Sequence, residues 1–201
     1  MIKILAVLLT ACTVVTYGQN PNDIKIVTSQ IEVEDSLRPS ISISFNADDD
    51  DVEALLNKEI KELRGKADHK HGLIVGKQLV IPDITPLQLE AYYKVESKGR
   101  KAKEVSTVFL SLKRTDGSYV SDSTDSEAWM KAQTYLASLP AKVSIYHKDE
   151  ELLALRKQLA DVTEELKDLQ SNSSDQRKNY KRKSKQIDAL SKRIDALEKG
   201  N

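Results

Sequence analysis

One cysteine and three histidines are all that 201 residues supply for thiol or imidazole chemistry. Cys12 lies inside an N-terminal apolar run, so removal of that run as a signal leaves no disulfide and no thiol chemistry. His69, His71 and His147 give general acid–base catalysis little to draw on. Aromatic residues make up 5% of the chain, which predicts a small core and a largely solvated remainder. The 31 basic and 31 acidic residues cancel, which argues against bulk electrostatic binding to nucleic acid. No Gly-x-Ser-x-Gly elbow, glycine-rich phosphate loop or His-Glu-x-x-His helix is present.

The one long apolar run, residues 4–15, is too short to cross a bilayer, which needs about 20 residues. It follows Lys3 and ends at Thr16-Tyr17-Gly18, small residues standing at the −3 and −1 positions of a cleavage site. Residues 1–18 therefore read as a secretory signal peptide, and the chain as exported. An alternative is lipidation at Cys12, because Leu9-Thr10-Ala11-Cys12 is similar to a lipobox. Membrane contact is expected only in that case.

The most regular pattern lies near the C-terminus. Leu152, Leu155, Leu159, Val162, Leu166 and Leu169 recur at alternating steps of three and four. Ile187, Leu190, Ile194 and Leu197 resume the same register after a polar gap. This is the seam of a coiled coil. The unbroken register predicts one long helix that associates with a second copy or with another envelope protein. The alternative is a helical hairpin turning at Ser171-Asn172-Ser173-Ser174, residues that favour turns over helix interiors.

Between signal and tail, residues 23–34 and 39–45 alternate apolar and polar as half-buried strands do, with a turn predicted at Leu37-Arg38-Pro39. Val52, Leu55, Leu56, Ile60 and Leu63 then form a helical stripe preceded by the acids of residues 48–51. Residues 68–72 read as a loop and Leu73-Ile74-Val75 as a short run closed by Gly76. Strands follow at 78–81, 87–96 and 104–113, with a hairpin tip at 97–101. The last strand is apolar on both faces and is expected to be central. Thr124 and Glu127 fit a capping box opening a helix with Trp129, Ala132, Tyr135, Leu136 and Leu139, and Pro140 marks a kink or a new helix.

Several patterns resemble sites and have a plainer explanation. His69 and His71, with Asp83, could line an enzyme or metal site, but no third firm ligand is evident. Asn46, Asp48 and Asp50 open like a calcium loop, yet Asp51 stands where its glycine belongs and Asn57 where its closing glutamate belongs. A helix N-terminal acid cluster accounts for them. No catalytic residue, metal ligand or cofactor is therefore assigned. Arg177, Lys178, Lys181, Arg182, Lys183 and Lys185 form a basic patch with no acid inside it. It reads as a solvated helix face, with anionic envelope material as a second reading and nucleic acid disfavoured.

Val80-Ile81-Pro82-Asp83-Ile84, Ala91-Tyr92-Tyr93-Lys94-Val95-Glu96 and the segment 117–123 (Gly-Ser-Tyr-Val-Ser-Asp-Ser) occur in that order, ahead of a charged coiled coil. In this the chain resembles a family of uncharacterised exported proteins of Bacteroidetes-type bacteria, with a small α+β head and a C-terminal coiled coil. The chain departs from that pattern at Pro140 and at 171–174. No catalytic role is implied; export to the periplasm or outer envelope of a Gram-negative cell is. The resemblance does imply O-glycosylation at Asp-Ser motifs, here Ser36 and Ser123.

The expected fold is α+β: a small antiparallel sheet of about five strands with packed helices in residues 19–140, and a coiled coil in 141–201. The expected role is a non-enzymatic cell-envelope structural or interaction protein acting as an oligomer or docking through its tail. A periplasmic holdase chaperone is the alternative, and an enzyme with a site in the head a distant one.

Overall fold

The structure is a computed structural model that describes residues 25–99, 104–168 and 174–199. The signal segment, Cys12 and Leu169 lie outside the described residues, as does most of the 171–174 turn. The chain divides into two compact units, one ending at Val143 and one beginning at Ser144.

The first unit, the head, is α+β. Six strands form one antiparallel sheet: β1 (Ile26–Val33), β2 (Ser36–Asn46), β3 (Lys66–Lys70), β4 (Leu73–Ile81), β5 (Thr85–Lys98) and β6 (Val105–Arg114). Their order is β1-β2-β6-β5-β4-β3, so β3 to β6 form a meander that returns β6 to the centre beside β2. Helix α1 (Asp49–Glu62) links β2 to β3 and lies over β3, β4 and β5. Asp48 caps it, its carboxylate accepting from the Asp50 amide at 3.0 Å. Val52, Leu55, Leu56 and Ile60 are the buried face of that helix.

Helix α2 (Ser126–Asp168) starts in the head. Ala128, Trp129, Ala132, Tyr135, Leu136, Leu139 and Val143 are buried at helical spacing, on the sheet face that also carries α1. Ile41, Ile43, Leu89, Tyr93, Val108, Leu110 and Leu112 meet them from β2, β5 and β6. Each such side chain contributes roughly 1.5–3 kcal/mol relative to exposure.

The opposite sheet face is lined differently. Its centre holds Ser40 and Ser111, both fully buried. Ser29 and Ser40 share a 2.8 Å hydroxyl contact, and Ser111 donates to the Pro39 carbonyl at 2.8 Å. Around them, Ile31 and Val33 of β1 cluster with Leu73 and Val75 of β4 and with Tyr92, although three strands separate β1 from β4. Only a strongly coiled sheet brings β1 and β4 together, and the small serines at the centre leave room for that curvature. Tyr119, from the loop after β6, packs onto the same cluster with Phe109.

The head departs from the sequence expectation at four places. The first turn is Glu34-Asp35, both at positive φ (53° and 58°), and Leu37, Arg38 and Pro39 belong to β2. Glutamate is an unusual occupant of that conformation, so no turn signal marks it. Residues 66–70 are strand β3, not loop. As an edge strand it is polar, with Lys66, Asp68 and Lys70 on one face and no apolar alternation. Its turn is His71-Gly72, again at positive φ.

Gly76 does not end a strand: β4 runs through it with a bulge at Gln78. Gly65 and Gly76 together make space for fully buried Leu79, and a Cβ on Gly76 would meet Leu79 Cδ1 at 2.6 Å. Finally, Asp125, not Thr124, caps α2, accepting from the Ala128 amide at 3.0 Å. The Thr124 hydroxyl instead donates to the Tyr119 carbonyl at 2.8 Å, and Glu127 pairs with Lys131.

The second unit corrects the long-helix expectation. α2 passes Pro140 without a break and ends at Asp168, and α3 (Ser174–Lys199) follows. Arg156 pairs with Glu198 at 2.7 Å, Glu151 with Arg193, and Glu165 with Lys183. Early residues of one helix meet late residues of the other, so the helices form an antiparallel hairpin. Placing Leu152 at heptad position a puts Glu151 and Arg193 at g and Arg156 and Glu198 at e, the flanks of the seam. A lone long helix would leave its stripe in water. Folding back covers the stripe within one chain, at the entropic cost of closing a short loop.

Candidate functional site

The tail seam is covered unevenly. Leu155, Val162 and Ile194 are buried at 4%, 7% and 8% exposure. Leu152, Leu159, Leu166, Ile187, Leu190 and Leu197 are half-buried. The interruption of the seam on α3 has a local explanation: Lys183 occupies a d position and turns to Glu165. Lys178, Lys181, Arg182 and Lys185 are exposed on α3, and Arg177 lies on the same helix.

In the head, polar groups converge where β5 begins, β6 ends and the Tyr119 loop returns. A cleft of about 460 Å³ is lined by Gln78, Gln88, Glu90, Lys113, Arg114 and Asp116, among others. Glu90 and Lys113 are cross-strand neighbours. The cleft charges are committed internally. Lys113 reaches Glu34 at 3.3 Å, Arg114 pairs with Asp125, and Asp116 accepts from the Ser118 amide and hydroxyl at 2.8 and 2.6 Å. Those hydrogen bonds hold the Asp116 carboxyl below its ordinary value. Tyr92 donates to Glu90 at 2.7 Å, and its ionisation is pushed well above the usual tyrosine range, first by burial and then by that carboxylate. The Tyr119 ring lies under the Arg38 guanidinium at 4.7 Å, and the Tyr119 hydroxyl and Arg38 Nε are both buried without a hydrogen-bond partner.

A second polar group ties the head together and is invisible to motif reading. Tyr93 and Tyr135 share a 3.1 Å hydroxyl contact, Tyr135 donates to Glu59 at 2.6 Å, and Lys142 donates to Glu59 at 2.7 Å. The chain crosses β5, α2 and α1. Burial pushes both tyrosines up, and the Glu59 charge adds to the effect. The sequence signal was only a tyrosine on each apolar face. That their hydroxyls meet Glu59 follows from the packing of three elements.

The remaining candidates do not converge. His71 sits at the turn before β4 and Asp83 beyond its far end, roughly 25–30 Å of strand away. His69 instead contacts Asn57 at 3.2 Å. Of the calcium-loop residues, Asn46 ends β2, Asp48 caps α1 and Asp50 lies in its first turn. Among the described residues, one carboxylate trio of metal-binding size occurs, Asp48, Asp49 and Glu104, and Asp49 there accepts from Ser97. Ser36 is half-buried at the start of β2, and Ser123 is exposed in the turn before α2. Among the described residues no helix is long and apolar enough to cross a membrane.

No family model matches the chain, and no curated protein is similar to it.

Proposed function

We propose that the protein is a non-enzymatic interaction protein of the cell envelope that associates through its helical hairpin. One observation carries this reading: the half-covered stripe of Leu152, Leu159, Leu166, Ile187, Leu190 and Leu197. Two helices shield a seam from only two sides, and a second hairpin would complete it as a four-helix bundle. Burial of that stripe supplies the driving force, at about 25 cal/mol per Å² of apolar area before the costs of association. The head supports a binding role through its coiled sheet and polar cleft, whose charged groups hold one another in place.

The test is the absolute mass of residues 19–201 by light scattering across a concentration series, beside a chain ending at Lys148. An oligomer that becomes monomeric on truncation is the expected result. A monomer at every concentration would overturn self-association and turn attention to a foreign partner.

A further inference from the structure

The basic residues of α3 are not scattered over the hairpin. Lys178, Lys181, Arg182 and Lys185 follow one another at steps of three, one and three, which places them on one helix face about 10 Å long. With Ile187 at a, they occupy b, c and f, directed away from the seam. All four are exposed, and among the described residues none has a carboxylate partner within ion-pair distance. Lys183, one position from that face, is drawn off to Glu165. No acid lies between Asp175 and Asp188, whereas α2 presents exposed Asp161 and Glu164. That stretch of α3 is thus basic alone, whereas the outer face of α2 is mixed, with exposed Lys157 and Lys167 beside the two acids.

We infer that this α3 face docks on the headgroups of an anionic phospholipid bilayer, without need of a lipid anchor. A straight stripe on one helix matches a flat surface of phosphates. The stripe carries no aromatic residue on which bases could stack. It carries no apolar residue to insert either, so binding is electrostatic, lies at headgroup level and is reversed by salt. Each basic residue strengthens attachment about five-fold near such a surface, and four together by roughly two to three orders of magnitude at low ionic strength. This face is separate from the apolar seam, so the inference stands apart from self-association.

The test is co-sedimentation of residues 19–201 with vesicles of phosphatidylcholine alone and of phosphatidylcholine with phosphatidylglycerol. Two variants run beside it: Lys178→Gln, Lys181→Gln, Arg182→Gln and Lys185→Gln together, and Lys25→Gln, Lys61→Gln, Lys66→Gln and Lys70→Gln together, which change net charge equally. The expected result is binding to the anionic vesicles only, lost on raising salt, lost by at least a hundred-fold in the α3 variant and retained in the head variant. Unchanged helicity of the α3 variant by circular dichroism shows that the loss is not unfolding. Absence of binding, equal loss in both variants, or tighter binding to a DNA duplex than to vesicles would overturn the inference.

Discussion

Head and hairpin bury apolar residues to different depths. In the head, Leu56, Leu79, Leu110, Leu136 and Leu139 are closed off on all sides by sheet and helix. Among the described seam residues of the hairpin, Leu155, Val162 and Ile194 are buried and the others are half-covered. The difference is geometric. A sheet with two helices on it surrounds a side chain, whereas two helices leave each seam residue open on its flank. The head therefore carries its own stability, and the hairpin gains most from a partner.

The largest expected effect comes from emptying the head. Leu136→Ala should cost about 2–5 kcal/mol. Trp129, the sole tryptophan, is buried in the head and reports that loss by fluorescence during urea unfolding. Leu159→Ala, at a half-buried position of the seam, should cost about 1 kcal/mol, read by helical circular dichroism, with the Trp129 transition unmoved. Equal penalties at the two sites would erase the contrast between the units.

Next in size is the polar chain inside the head. Tyr135→Phe removes the hydroxyl that joins Tyr93 to Glu59 and should cost about 1–3 kcal/mol, because the groups left behind stay buried. This chain, with Tyr92 on the opposite sheet face, sets an alkaline limit. Tyr92, Tyr93 and Tyr135 have folded-state ionisations raised above the unfolded value of about 10. Their contribution is complete below that value and is lost as pH rises through the folded-state values. Tyrosinate absorbance of these three should therefore appear together with loss of the Trp129 signal, not before it. Early titration of all tyrosines in a still-folded head would contradict the buried network.

The smallest effect belongs to the hairpin flanks. Removing Glu151 or Arg193 should change stability by less than about 1 kcal/mol, since the Arg193 end of the pair stands in water. A double-mutant cycle on the two, followed by circular dichroism at low and high salt, measures the coupling and should show it fading with salt. A coupling that survives high salt would mean that the flank is buried by association.

Much of the head was legible because its periodicities are clean. Ile41 and Ile43 alternate into the core as their spacing requires, and Val52, Leu55, Leu56 and Ile60 form the helix face expected of them. What escaped was polar or conformational. β3 has no apolar pattern because an edge strand does not need one. The Glu34-Asp35 turn uses residues that do not announce positive φ. The Gln78 bulge depends on Leu79 finding space between Gly65 and Gly76, which are distant in sequence. The head cleft draws on three separate segments and carries no motif.

By itself the sequence determined the α+β class, the helical stripes and the heptad register, because each is a local period that one segment expresses alone. The direction in which the tail closes its seam was decided by tertiary structure. A heptad stripe states that a partner helix is needed, not which one, and the same spacing suits a long helix or a hairpin. The ion pairs of Glu151 with Arg193 and Arg156 with Glu198 exist only after the chain has turned back. Likewise, only packing brings Tyr93, Tyr135, Glu59 and Lys142 together, because they stand on three separate elements far apart in the chain.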